Sequence, residues 1–234
     1  AERQGFKLEP FWLGKNGEAS RQVARVLNAR SVRGSVLAPP KEAELFDLAW
    51  DRHPVVALGY TFGQKPINQV AHGHFNGVFT CYRELRKLGY KRIGAVLTEQ
   101  DDQHSNHCWS GGYFAAQHLC GGAKLPLPKL NGYDDRDGCF AWFKRTRPDA
   151  IIGTHPDPAL RMLGAQGVGV PGRICYVTLD VERGNLGHVA GIRQNWNDMG
   201  GALVDLLIGQ LHANDYGLPA TPKVVLIDGD WVPG

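Results

Sequence analysis

Short apolar runs recur along the chain, separated by longer stretches in which apolar residues return every three or four positions. The runs KLEPFWL (7–13), GSVLAP (34–39), PVVALGY (54–60), RIGAVL (92–97), AIIGTH (150–155), ICYVTLD (174–180) and KVVLID (223–228) predict strands. They are nearly continuous in apolar residues, as strands covered on both faces are. Helical spacing predicts helices over 18–31, 41–49, 75–88, 106–119, 136–146, 158–167 and 197–213. Within 75–88, Val78, Tyr82, Leu85 and Leu88 share one face and are expected to be buried. Arg83, Arg86 and Lys87 crowd the last turns, where they suit the helix dipole, and Gly89 ends the helix. Ala1 to Phe6 reads as the last turn of a helix with Gly5 just past its end, so further residues are expected upstream. Strands alternating with helices predict an α/β fold with parallel sheets and helices on both faces. Two units of similar size, on either side of Gly89-Tyr90, fit the count. The segment LGHVAGIRQNW (186–196) reads as a return connection. Ligands of such folds bind at the carboxyl ends of strands, and two lobes would face each other across a cleft.

Composition narrows the class. The chain has 234 residues, 43% hydrophobic and 21% charged, the profile of a soluble globular protein rather than a disordered one. Thirty glycines suit many tight turns between strands and helices. The 26 basic and 23 acidic residues leave a net +3, too mild to announce a nucleic-acid surface. No apolar run approaches the roughly 20 residues that cross a bilayer, so no membrane partner is expected. Five cysteines without a C-x-x-C pair, and no apolar signal core at the N-terminus, point to unlinked thiols in a reducing cytoplasm.

The residues that could carry chemistry are few. There is no G-x-S-x-G elbow, no G-x-x-x-x-G-K-[ST] loop and no H-E-x-x-H pair. The string GAQGVGVPG (164–172) follows a helix, not a strand, so it reads as a helix end and not as a phosphate loop. His72 and His74, with His104, His107 and Cys108 in H-x-x-H-C, are zinc-type ligands, but no second close pair completes a site. No metal and no other cofactor is expected. Asp101-Asp102 and Asp134-Asp135 precede helices, where carboxylates favour the dipole; acid–base catalysis is the weaker reading. Trp109 and Trp196 fall near strand ends. Stacking on a ligand ring and packing of helix starts are both open for them.

The order of these pieces resembles the effector-binding region of the lac repressor/galactose repressor (LacI/GalR) family of bacterial transcription regulators. SVRGSVL (31–37) and PVVALG (54–59) resemble two of its strands, and ELRKLGYKRIGAVL (84–97) its "L-x-x-x-G-H-R-R-I-A" stretch. PDAII (148–152) matches "P-D-A-I", and VGVPGRICYVTLD (168–180) matches "V-P-x-D-I-x-V-V-G-F-D". GIRQN (191–195) and MGGALVDLLIGQL (199–211) follow in the family's order. The resemblance covers nearly the whole chain. It implies two Rossmann-like lobes with parallel sheets joined by three crossovers, the periplasmic-binding-protein-like type I fold. One lobe would hold 1–90 and 193–220, the other 91–192 and 221–234. The family's first strand and its helix-turn-helix head would lie upstream of Ala1, so this chain alone is not expected to bind operator DNA.

The same resemblance implies ligand positions. Asp180 matches the first aspartate of "G-F-D-D", its second being Val181 here, and Gln194 matches a glutamine near the hinge. Tyr133 stands five before Gly138, where purine-binding relatives place a stacking aromatic. Three positions depart from the pattern. Gly73-His74 stands for "D-N", His155-Pro156 for "N-D", and Trp109 for the arginine of "R-x-x-G-F". An indole cannot replace a guanidinium fork but can stack on a ring. The expected effector is therefore a neutral or mildly polar ring-bearing molecule, a saccharide, held by Trp109 or Tyr133 with His74, His155, Asp180 and Gln194. No catalysis is expected. A homodimer is, with Leu160, Met162 and Leu163 beside its seam. The alternatives are a periplasmic solute-binding protein of a sugar transporter and, more weakly, a small α/β enzyme working through His74, His155 or Asp180.

Overall fold

The computed structural model describes all residues except 12–16, 40–53, 63–64, 131, 133–134, 155–162, 171, 183 and 185–186. The chain divides into two compact units. Unit 1 comprises Ala1–Ala71 and Trp196–Ile227; unit 2 comprises His72–Asn195 and Asp228–Gly234. The chain therefore passes from one unit to the other three times.

Unit 1 is built on a four-stranded sheet in the order β1-β2-β3-β8. Its strands are β1 (Ser35–Leu37), β2 (Val55–Leu58), β3 (Asn68–His72) and β8 (Val224–Ile227). β1 and β3 both run parallel to β2. Side chains alternate between the faces, as strand geometry requires. Leu37, Val55 and Ala57 pack on one side with Ala24 of helix α1 (Gly17–Ala29), Phe62 and Ile67. Val56 and Val70 pack on the other with Met199 and Leu203 of α6 (Trp196–Ala213), joined by Val225 and Ile227 of β8.

Unit 2 is built on a five-stranded sheet in the order β4-β5-β6-β7-β9. β4 (Ile93–Val96), β5 (Ala150–Gly153), β6 (Cys175–Thr178) and β7 (Ala190–Arg193) are parallel neighbours, and β9 (Asp230–Val232) closes the sheet antiparallel to β7. Helices α2 (His74–Lys87) and α4 (Cys108–Leu119) cover one face, burying Val78, Tyr82, Leu85, Tyr113 and Ala116 against Ile93, Ala95, Ile152 and Val177. Helix α5 (Arg136–Thr146) covers the other, with Trp142 and Cys139 against Val96, Ile151 and Tyr176. A short helix, α3 (Glu99–His104), links β4 to α4. Large and small residues interlock: a Cβ at Gly94 would lie 2.6 Å from the Trp142 ring, and one at Gly153 would lie 2.3 Å from the Tyr176 hydroxyl.

Several expectations are corrected. The division falls at 71/72, 195/196 and 227/228. Helix α2 thus belongs with the second sheet, because its apolar face packs there, and β8 belongs with the first. Leu88 is 69% exposed, because the helix ends at Lys87 and Leu88 caps it beyond the last buried turn. Leu163 is a core residue of unit 2, 3% exposed, and so is no part of a surface seam. Leu160 and Met162, the helix expected over 41–49 and most of that over 158–167 lie outside the described residues. Residues 7–11 form no strand. β3, β7 and β9 went unforeseen, because NQVAH, AGIR and DWV are short and carry polar residues or glycine. Val224 and Leu226 are exposed, since β8 is an edge strand covered on one face only. The turn at the start is as expected: Glu2–Gln4 is a single 3-10 turn capped by Gly5 at φ 79°. All five thiols are free.

The α2–α4 contact is close because of one glycine. A Cβ at Gly112 would lie 2.6 Å from the Phe75 carbonyl oxygen, whereas one at neighbouring Gly111 has nothing nearer than 4.0 Å. Gly112→Ala should destabilise the protein by about 1–3 kcal/mol through overpacking against backbone. Gly111→Ala should be neutral or stabilising by up to about 1 kcal/mol, through helix propensity. Urea melts of the two variants check the contrast.

Candidate functional site

The carboxyl ends of β4, β5, β6 and β7 gather most of the chemistry of unit 2. The first three strands each run into a threonine: Thr98, Thr154 and Thr178, all buried. Thr98 caps α3. Its hydroxyl accepts the Asp101 backbone N–H at 3.1 Å and donates to Asp101 Oδ2 at 2.7 Å. The Thr154 hydroxyl donates to the same oxygen at 3.3 Å, and the Thr178 hydroxyl donates to the Thr154 carbonyl at 3.4 Å. Asp101 is thereby fixed at the sheet edge with a donor on each side. Asp102, next to it, caps α4: its Oδ1 accepts the Ser110 N–H at 2.9 Å, and its Oδ2 lies 3.0 Å from His107 Nδ1. The expectation that this acid pair serves helix starts holds for both members.

Asp180 and Gln194 lie on the same edge. Asp180 follows β6, half-buried, with its N–H on the Thr178 hydroxyl at 3.3 Å. Gln194 follows β7 and donates through Nε2 to the Leu179 carbonyl at 2.8 Å, which leaves its Oε1 as an acceptor. The Val181 N–H donates to the Ile192 carbonyl at 2.8 Å, so the two loops run side by side.

The aromatic part comes from the starts of α2 and α4. His74 is the first residue of α2, and Trp109 the second of α4. Their rings meet edge-on, with centroids 4.9 Å apart, and His72 approaches His74 edge-on at 5.6 Å. Trp109 is half-buried and its side chain packs on the main core cluster, so it anchors α4 and also faces His74. Burial holds the pKa of both His72 and His74 down at about 4, and for His74 the neighbouring imidazole adds to the effect. Both are neutral at pH 7.

Of the six expected site residues, His74 and Trp109 are in contact, and Asp180 and Gln194 lie on adjoining loops. Tyr133 and His155 lie outside the described residues. The zinc-type ligands do not converge: His104 and His107 are exposed, and His107 turns to Asp102. Among the described residues no three His, Cys, Asp or Glu side chains are placed to hold a metal ion. Sequence reasoning missed the threonine ladder and the role of Asp101 in it. A signal was present, for VLT (96–98), IGT (152–154) and YVT (176–178) each close an apolar run on threonine.

What holds α2 in place is Asp228, the first unit 2 residue after β8. It sits where a Cβ on Gly73 would be: the nearest approach to Oδ1 would be 1.8 Å. Both its carboxylate oxygens accept from Asn76 Nδ2 at 3.2 Å, and its backbone carbonyl accepts from Asn195 Nδ2 at 2.8 Å. The carboxylate thus lies at the positive end of α2, the favourable end for an anion. 

The depressed histidine pKa values carry a sign. In the unfolded chain these imidazoles take up protons near pH 6.5; in the folded one they do so only near pH 4. Stability contributed by the pair is present above pH 6.5 and is lost as pH falls toward 4. His72→Gln/His74→Gln should therefore lose less melting temperature than the parent between pH 7 and pH 4.5, by an amount equivalent to about 1–3 kcal/mol. Thermal melts followed by circular dichroism across that range measure it.

No family model and no curated protein sequence matches the chain. Solved structures do. The transcriptional regulator CelR in complex with cellobiose superposes with a TM-score of 0.69 at 19% identity, over 94% of this chain and 70% of that one. A periplasmic binding protein/LacI transcriptional regulator from Alkaliphilus metalliredigens, complexed with D-xylulofuranose, gives 0.67 at 13% identity, over 99% and 88%. A LacI transcriptional regulator from Lactobacillus brevis gives 0.68 at 15%, over 99% and 90%. At such identities the likeness is one of architecture, and with the sheet orders above it places the chain in the two-unit α/β fold shared by LacI-type regulators and periplasmic binding proteins.

Proposed function

We propose that the chain is the effector-binding region of a LacI-type transcriptional regulator. It takes a saccharide at the carboxyl edge of the unit 2 sheet and alters operator affinity through a DNA-binding head outside this sequence. The observation that carries this reading is the Trp109–His74 pair on the same sheet edge as Asp180 and Gln194. A sugar ring offers an apolar face, which suits an indole, and hydroxyls, which suit fixed acceptors. Asp180 and the Gln194 Oε1 supply those acceptors, and Asp101 stands beside them in its threonine ladder. Neutral imidazoles and several carboxylates make the edge unfavourable for phosphorylated sugars and uronates. The cellobiose and D-xylulofuranose complexes of the fold neighbours support a sugar as the ligand class. Tyr133 and His155 would add contacts.

The ligand is bound and released unchanged, and no catalytic role falls to His74 or Asp180. Its effect is a shift between two states of unequal affinity for it. The regulator acts in the cytoplasm as a homodimer.

Three experiments test this. A thermal-shift screen of neutral sugars, sugar phosphates, uronates and nucleobases should return a neutral sugar, raising stability by about 2.7 kcal/mol at 100 times its Kd. Trp109→Ala should then weaken that sugar by roughly 1–3 kcal/mol. Calorimetry and melting on the same variant separate the outcomes: a lowered melting temperature with unchanged affinity would leave Trp109 a purely packing residue. Sedimentation at tens of micromolar should show a dimer; monomer alone would remove that part of the reading.

A further inference from the structure

The mild net charge of the chain hides a segregation. At the amino edge of the unit 2 sheet, opposite the candidate site, the segments 83–92, 118–124, 144–149 and 172–174 carry ten Lys and Arg against two acids, Glu84 and Asp149. With 26 basic and 23 acidic residues in all, the remaining 16 and 21 make the rest of the chain net acidic.

Hydrogen bonds tie these segments into one surface. Arg86 Nη1 donates to the Tyr90 carbonyl at 2.7 Å and its Nε to the Cys120 carbonyl at 3.3 Å, joining the ends of α2 and α4. The Ala123 N–H donates to the Lys91 carbonyl at 2.8 Å. The Lys91 and Arg92 N–H groups donate to the Asp149 carboxylate at 2.8 and 2.9 Å, and Arg92 Nε donates to the Arg147 carbonyl at 2.9 Å. The Cys175 N–H donates to the Asp149 carbonyl at 3.1 Å, which brings in Arg173.

Arg86 and Arg92 are accounted for by these helix-end contacts, and Asp149 is spent on backbone N–H groups. Arg83 and Lys87 pair with Glu84. Lys91, Lys124, Arg145, Arg147 and Arg173 are exposed and make no ion pair among the described residues. Two leucines lie at the same sheet edge, at the ends of α2 and α4: Leu88 is 69% and Leu119 70% exposed. Helix dipoles explain a basic bias here but not exposed leucines beside it. Apolar anchors within a rim of arginine and lysine are the anatomy of a protein interface.

We propose that this edge, with Leu88 and Leu119 at the ends of α2 and α4, Lys91 and Lys124 on the adjoining segments, Arg145 at the end of α5 and Arg173 before β6, is a docking surface for an acidic, leucine-bearing segment of a partner protein. The charge selects the carboxylates, and the two leucines select a polypeptide over a nucleic acid, whose backbone has no apolar group to bury against them. An amphipathic acidic helix, with leucines three or four apart, presents both features on one face. The surface does not depend on the ligand reading above, since it lies at the other end of the strands.

The test uses fluorescence anisotropy on the full chain with four probes. They are a labelled 20-residue Glu/Leu amphipathic peptide, polyglutamate of equal charge, a 20-base-pair duplex, and vesicles containing 30% phosphatidylserine. The Glu/Leu peptide should bind at least ten-fold tighter than polyglutamate and the duplex, and more weakly as salt rises. Lys124→Glu/Arg145→Glu/Arg173→Glu should weaken it ten-fold or more. Leu88→Ser/Leu119→Ser should weaken it about five-fold while leaving polyglutamate unchanged. Equal reversals in unit 1, Lys7→Glu/Arg25→Glu/Arg33→Glu, should have little effect, and melting curves show that each variant is folded. Tighter binding of duplex or vesicles than of the peptide would overturn the proposal in favour of that partner. No peptide binding at 50 mM salt, or binding indifferent to the edge variants, would overturn it altogether.

Discussion

The Asp228 carboxylate is the contact on which the candidate site depends. It fills the space left by the missing side chain of Gly73, receives Asn76, and through its own carbonyl receives Asn195. Three stretches far apart in sequence, 73–76, 195 and 228, are thereby bound at the boundary of unit 2. The interaction has to be compact because the chain crosses between the units at these places. Each crossing would otherwise leave helix and strand ends without partners. With α2 held by a carboxylate at its positive end, His74 is fixed at the first turn, and its ring meets Trp109.

The sheet of unit 2 has two chemically different edges for a common reason. Its parallel strands send the starts of α2, α4 and α5 to the carboxyl edge and their ends to the amino edge. Carboxylates therefore collect at one edge: Asp102 and Asp135 accept N–H groups at helix starts, and Asp101 lies in the first turn of α3. Arginines such as Arg86 and Arg92 collect at the other, where they donate to helix-end carbonyls. Dipole complementarity separates the charge, and side chains beyond those needed for capping become available for recognition. At the carboxyl edge that surplus is Asp180, Gln194 and the aromatic pair. At the amino edge it is Leu88, Leu119 and the lysines and arginines that make no ion pair among the described residues.

Much of this was legible along the chain. The apolar runs at 92–97, 150–155 and 174–180 specify buried strands whatever surrounds them, because an apolar run of that length must be covered on both faces. The helix at 136–146 starts from Asp135, whose side chain accepts the Gly138 N–H, a local signal. Asp180 and Gln194 were singled out by the resemblance to LacI/GalR motifs. The threonine ladder was not recognised, because a threonine after a strand carries no meaning until three strands lie side by side in register.

What the sequence by itself determined is the class of fold and the kinds of side chain at strand ends, since hydrophobic period and helix signals act within a few residues. Tertiary structure decided the rest. Unit membership of α2 and β8 depends on which sheet receives their apolar faces. Strands β7 and β9 exist through pairing: Gly191 permits the approach to the Thr178 carbonyl, a Cβ there lying 2.0 Å from that oxygen, and β9 adds antiparallel to β7. Leu88, in step with a buried helical stripe, became exposed where the helix stopped. A net charge of +3 gave no sign of a surface, because charge sums are indifferent to position, and only folding sorts the basic residues to one edge.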